Sequence, residues 1–181
     1  MFHSNTELLI DYWRTRKENA SAPLRAAINP AEFPTLLPQV FILGRRRPGD
    51  YHFRLVGGLI EDLHGGSLNG MDPLRLWSGE HHTALQLALE ALRRTSEPLV
   101  IDAEAGAPLG GLRLEVLLAP MRDATGAPDR VLGLYQPLSS VAALMGQKIS
   151  TLFMRSIATG DAARADFPRL RLAAADGRRL A

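Results

Sequence analysis

The chain has 181 residues, 46% of them hydrophobic and 22% charged, with a formal net charge of +2 and no cysteine. That length and balance suit one domain with a core of ordinary size and argue against wholesale disorder. Disulfides, thiolate metal sites and cysteine nucleophiles are removed at once; no apolar run of roughly 18 residues reaches across a bilayer; and Met1-Phe2-His3-Ser4-Asn5 lacks the basic-then-apolar order of a secretory signal, so a soluble cytoplasmic protein is expected.

Ser4 and Glu7 have capping-box spacing, and Leu8, Leu9, Tyr12 and Trp13 follow at helical intervals, so the spacing predicts an amphipathic helix to about Lys17. Pro23, Pro30, Pro34 and Pro38 punctuate the next stretch. Asn29-Pro30-Ala31-Glu32 has the order of cap, first-turn proline and N3 glutamate, which starts a short helix over residues 31–37. Val40-Phe41-Ile42-Leu43 is an apolar run of strand length, and Arg45-Arg46-Arg47-Pro48-Gly49-Asp50 is a polar turn before a second strand from Tyr51. In that strand Tyr51, Phe53 and Leu55 alternate with His52, Arg54 and Val56, which predicts two faces. Gly57 and Gly58 break it. Leu59-Ile60 with Leu63 reads as a turn or two of helix, released by Gly65, Gly66 and Gly70.

Asp72-Pro73 repeats the logic of cap then proline for a short piece holding Leu76 and Trp77. Ser78 is the expected cap of a longer helix over residues 80–95, whose Leu85, Ala88, Leu89 and Leu92 recur at i, i+3, i+4 and i+7. Three strands follow, at 99–104, 112–118 and 130–136, joined by Gly- and Pro-bearing loops; Leu112, Leu114, Val116 and Leu118 share a face opposite Arg113 and Glu115, the alternation of an antiparallel sheet. Residues 148–157 fit both the helical and the strand period, and 162–181 mix Arg, Ala, Asp and Gly as a loose tail would.

Two strands, a group of short helices and a three-stranded meander is the order of the PAS fold. Leu9-Ile10-Asp11-Tyr12-Trp13, Pro23-Leu24-Arg25, Asn29-Pro30 with Leu37-Pro38, Phe53-Arg54-Leu55-Val56-Gly57 and Leu74-Arg75-Leu76-Trp77 resemble the pattern of short bacterial PAS-domain proteins over roughly residues 5–138. One departure is Gly58, where that family commonly has threonine. The resemblance implies an α+β domain: a five-stranded antiparallel sheet with short helices on one face around a small cavity, plus an N-terminal helix. The expected division is an N-terminal helical extension (1–38), the PAS-like domain (39–138) and a C-terminal extension (139–181). It further implies a sensory or docking module that binds a small molecule or a regulatory protein and signals through another molecule.

The expected ligand site gathers Arg54, Leu55, Gly57, Ile60, Leu63, His64 and Trp77. Arg54 is a mid-strand guanidinium suited to clamp a carboxylate or phosphate, or else to pair with Glu61, Asp62 or Glu115. Leu9, Tyr12 and Trp13 are the expected homodimer contact. Flavin chemistry through a cysteinyl adduct is excluded by the absence of cysteine. An axial haem histidine from His64, His81 or His82 is the minor alternative, and consecutive Glu80-His81-His82 point about 100 degrees apart on a helix and do not converge on a metal. Neither G-x-S-x-G nor H-E-x-x-H occurs, nor a phosphate loop, so an enzyme is not expected. Two alternatives stand beside the sensory reading. One is a small cone-shaped α+β enzyme working through a buried His64, Glu61 or Asp62. The other is a nucleic-acid binder using Arg45-Arg46-Arg47, Arg93-Arg94 and the tail arginines.

Overall fold

The computed structural model describes residues 1–108, 110–163 and 170–171. Its centre is one antiparallel sheet, which separates an inner layer of helices from an outer one. The strands are β1 (Val40–Arg47), β2 (Asp50–Val56), β3 (Leu99–Ala107), β4 (Gly110–Met121), β5 (Arg130–Pro137), β6 (Thr151–Thr159) and β7 (Leu170–Arg171), in the order β2-β1-β5-β4-β3-β6-β7. The five expected strands are therefore present and adjacent. The ambiguous stretch 148–157 resolves into β6, which extends the sheet at the β3 edge and makes it longer than the five strands expected. Most of the tail read as loose lies outside the described residues.

Alternating residues drive the two layers apart. Inward-facing Phe41, Leu43, Ile101, Leu114, Val116 and Leu118 pack with α2 (Gly58–His64), α3 (His82–Thr95) and the 3₁₀ turn Pro73–Leu76. Outward-facing Val40, Ile42, Val100, Leu117 and Leu132 pack with α1 (Ser4–Lys17) and the 3₁₀ turns at Pro30–Glu32 and Pro34–Gln39. Helices thus cover both faces: the short helices of residues 58–76 lie on one, and the N-terminal extension, α1 with its 3₁₀ turns, lies on the other.

Local signals held with two shifts. Asn29 Oδ1 accepts from Ala31 N at 3.1 Å and Asp72 Oδ1 from Leu74 N at 2.9 Å, as the cap-then-proline order requires. The cap of α1 is His3, not Ser4: its Nδ1 accepts from Asn5 N at 3.2 Å, while Glu7 reaches back to Phe2 N. Ser78 does not cap α3 with its side chain. Its amide donates to Leu152 O at 2.9 Å, tying this turn to β6, and α3 begins at His82.

Two bulges set which side chains meet. The pairing of β1 with β2 shifts register between Ile42 and Leu43, so that Ile42 opposes Leu55, Leu43 opposes Phe53, and Arg54 is the extra residue. Strict alternation put Leu55 with Tyr51 and Phe53; the bulge turns it outward beside Arg54 and lets Val56 pack inward instead. In β6 the shift falls at Arg155, between the partners of Asp102 and Ala103.

Candidate functional site

The space enclosed by sheet and inner helices is almost filled. Phe41 meets Phe53 edge-to-face with centroids 5.6 Å apart and Tyr135 at 6.1 Å, an arrangement aromatic rings favour. With Trp77, Leu76 and Leu89 they leave a cavity of about 20 Å³, room for about one water. Small-molecule sites run to about 300–1,000 Å³, well above this interior volume.

Ile60 and Leu63 are buried in the inner core, and Trp77 lines the small cavity, so all three are packing residues here. Gly57 is a close-approach position: a Cβ there would stand 2.4 Å from the carbonyl oxygens of Leu37 and Pro38, and its amide donates to Val40 O at 2.8 Å. His64 Nε2 lies 3.2 Å from the Tyr135 hydroxyl. Burial lowers the His64 pKa to about 4, partly offset by a backbone hydrogen bond with Ile149, and burial pushes the Tyr135 phenol up. Both are therefore neutral at pH 7. Glu61 accepts from Leu68 N, and Asp62 is exposed with its carbonyl accepting from Lys148 Nζ, so no acid joins this pair.

The expected dimer contact is corrected by burial. Leu9 and Trp13 are fully buried within the single chain, where Trp13 Nε1 donates to Pro120 O at 2.6 Å. Tyr12 is half-buried, stacks edge-to-face on Phe33 and accepts from Asn29 N at 2.8 Å. These residues fasten α1 to its own sheet because the stripe they form is the one that faces it.

Three members of two arginine clusters are spent on internal pairs. Arg45 bridges Glu90 and Asp129, Arg93 also reaches Asp129, and Arg47 pairs with Asp50. His82 Nε2 donates to Trp77 O and His81 contacts Glu80; among the described residues no group of three or more His, Asp or Glu is arranged to hold a metal.

Open space lies at the surface: a cleft of about 320 Å³ over α2 is bounded by Leu59 and Leu63 and by residues 141–148, and two larger ones lie on the outer face. A cleft of about 500 Å³ is bounded by Leu24 and Arg25, by Ile42 of β1, by Arg54 and Leu55 of β2, and by Arg130 of β5. The Arg54 and Leu55 of the expected interior site are thus together, but on the opposite side of the sheet from Ile60, Leu63, His64 and Trp77. A second cleft, of about 430 Å³, lies over β3, β4 and β6 near Met1, Phe2 and His3. Its charges answer one another: Glu115 accepts the His3 amide at 3.0 and 3.1 Å, and Arg113 pairs with Asp102 at 2.9 Å. Arg25 and Arg130 were not singled out from the sequence. Arg25 stood only within the Pro23-Leu24-Arg25 mark of the resemblance, and their cleft was hidden because it is assembled from segments about 20 to 100 residues apart.

A family model described as PAS domain matches residues 1–136. The chain belongs to the PAS domain family, whose members are generally sensory modules. Among solved structures it is similar to a light-oxygen-voltage domain described with a flavin analogue, at 18% identity and TM-score 0.48, covering 62% of this chain and 86% of that one. It is also similar to the Rhodobacter sphaeroides LOV protein, at 13% identity and TM-score 0.45, covering 64% and 73%, and to the light-state LOV domain of the photoreceptor Aureochrome1, at 14% and 0.46, covering 65% and 94%. No curated protein matches. Among the described residues, no helix is long and apolar enough to cross a membrane.

Proposed function

We propose that the protein is a PAS-type regulatory module whose inner layer is a packed core and whose signal is exchanged at the outer face of the sheet. The contrast in space carries this reading: about 20 Å³ between the sheet and its inner helices against about 500 and 430 Å³ on the outer face, with a smaller open cleft of about 320 Å³ over α2. A small molecule is taken on the outer face, and the response is passed to a regulatory protein or a second copy of the chain in the cytoplasm. Arg45, Arg47 and Arg93, the paired members of the two clusters, weigh against a nucleic-acid surface, since charges already matched by Glu90, Asp129 and Asp50 have fewer counterions to release. The lone neutral His64–Tyr135 pair, with no acid beside it, weighs against acid–base catalysis.

An absorption spectrum with native and denaturing mass spectrometry of the purified protein tests the packed interior. The expected result is the bare chain mass in both and no absorbance beyond that of Trp and Tyr. A stoichiometric organic cofactor released on denaturation would overturn it.

A further inference from the structure

We propose that the outer cleft at Arg54 is a binding site for a small organic anion, a carboxylate or phosphate monoester carrying an apolar body. The inference deepens the regulatory reading by naming the ligand class, and binding can be measured whether or not a partner is known.

Charge comes first. Arg25, Arg54 and Arg130 all line the cleft, and none forms an ion pair among the described residues, in contrast to Arg45, Arg47 and Arg93 nearby. Arg25 Nη1 reaches only the Ile28 carbonyl, at 3.5 Å, and Arg130 Nη1 only the Asp129 carbonyl, at 2.9 Å. The single acid on the rim, Asp123, is held mainly by its own turn, where its Oδ1 accepts from the Thr125 amide and hydroxyl and from Ala127 N, with a weaker electrostatic pull from Arg130. Three guanidiniums against one carboxylate leave an excess of positive charge whose planar forks match carboxylate and phosphate oxygens.

The floor supplies the second half of the specificity. Ile42 and Leu55 are cross-strand neighbours, and Leu55 and Leu24 are 45% and 39% exposed. An apolar body laid on them removes that surface from water. An anion that is polar throughout leaves it wet.

The site is also built rather than incidental. The β2 bulge puts Arg54 and Leu55 side by side on the outer face. Gly44 opposes both His52 and Arg130 in the sheet, and a Cβ at Gly44 would stand 2.5 Å from Arg54 Cδ. The Arg54 stem therefore lies back over the glycine, towards Arg130. The far wall is held by Arg25 N donating to Arg122 O and Arg122 N donating to Pro23 O, both at 2.8 Å. His52 gives a built-in reporter. Its Nδ1 is buried without a partner, and burial together with the charges of Arg46, Arg54 and Arg130 holds its pKa below the ordinary value against the opposing pull of Asp50. An anion between those guanidiniums shifts it upward.

Amide and imidazole NMR titrations of the full chain with octanoate, phenyl phosphate, acetate and inorganic phosphate decide the matter. Octanoate or phenyl phosphate is expected to move the Ile42, Leu55 and Ala124 amides and raise the His52 pKa, while acetate and inorganic phosphate bind at least about tenfold more weakly; the stronger of the first two identifies the head group. Arg54→Gln, at an exposed position that does not threaten folding, is expected to weaken binding by about tenfold, the usual worth of one charge-assisted contact. Gly44→Ala is expected to weaken it with every charge retained, because Arg54 is displaced. Silence of those amides to all four probes at millimolar concentration overturns the proposal. So does equal affinity for octanoate and acetate, unchanged affinity in Arg54→Gln, or association of two chains through this cleft in place of ligand uptake.

Discussion

His64 and Tyr135 place an imidazole and a hydroxyl side by side at the edge of a core that is otherwise hydrocarbon. Because burial depresses the folded pKa of His64 from 6.5 to about 4, the unfolded chain binds this proton first. The neutral form's contribution to stability is complete above about pH 6.5 and is lost as pH falls from there towards 4. His64 is only half-buried, so solvent screening trims the full linkage value to about 2 kcal/mol. Urea unfolding at pH 7.5 and 5 should show that loss, and His64→Gln, which keeps a partner for the Tyr135 hydroxyl without titrating, should flatten it; an unchanged slope would show that other groups carry the acid sensitivity. Trp13 makes a different case. Truncation to alanine removes a fully buried indole and orphans the Pro120 carbonyl, so Trp13→Ala should cost about 3–5 kcal/mol in urea denaturation. Light scattering should show the same oligomeric state for any folded fraction, since the side chain never reaches the surface.

Among the elements, the sheet depends on glycines that let aromatic rings lie flat on neighbouring strands. Gly133 of β5 opposes Phe41 of β1, and a Cβ there would fall 2.0 Å from the Phe41 ring. Gly133→Ala must push that ring out of its contacts with Phe53 and Tyr135, at about 2–3 kcal/mol, the range of core overpacking, measurable by thermal unfolding. β6 matters as much, although it lies beyond the residues the family model matches. It buries Leu152 and Met154 against β3 and covers that strand's edge. Truncation after Pro137 should remove about 4 kcal/mol of apolar burial and expose the β3 edge, giving aggregation on size-exclusion chromatography. The strands at 40–43, 99–104, 112–118 and 130–136 were legible because they are apolar runs of strand length bounded by turn residues, with clean alternation at 112–118. β6 was not, since the bulge at Arg155 spaces its inward residues Leu152, Met154 and Ile157 by two and then by three, which imitates a helix. The same cause hid the cleft. Arg54 could be read as a charged strand residue, but not that it is itself the bulge that brings Leu55 to its side, nor that Arg25 and Arg130 close in from distant parts of the chain.

At the scale of the whole molecule, one sheet has a hydrocarbon core on each face, and the outer face keeps concave, partly charged surface beside its core. A sensor usually needs a soft place where a ligand's arrival changes packing, and an interior already at native density resists such change. The outer face is less constrained at its cleft, where Leu24 and Leu55 are exposed and the rim is held by backbone hydrogen bonds of Arg25 and Arg122 beside a core that ends at Ala22 and Met121. A packed interior further implies that space must be created before anything can enter it. Trp77→Ala removes an indole that is 7% exposed and lines the 20 Å³ cavity, so it should lower stability by about 3–5 kcal/mol and leave a void of ring size. Millimolar indole should then restore part of the lost melting temperature in the variant and leave the wild-type protein unaffected, as mass action requires when only the variant has a site. If indole stabilised the wild type equally, the inner layer would open readily, and the sensing role assigned to the outer face would pass to the interior.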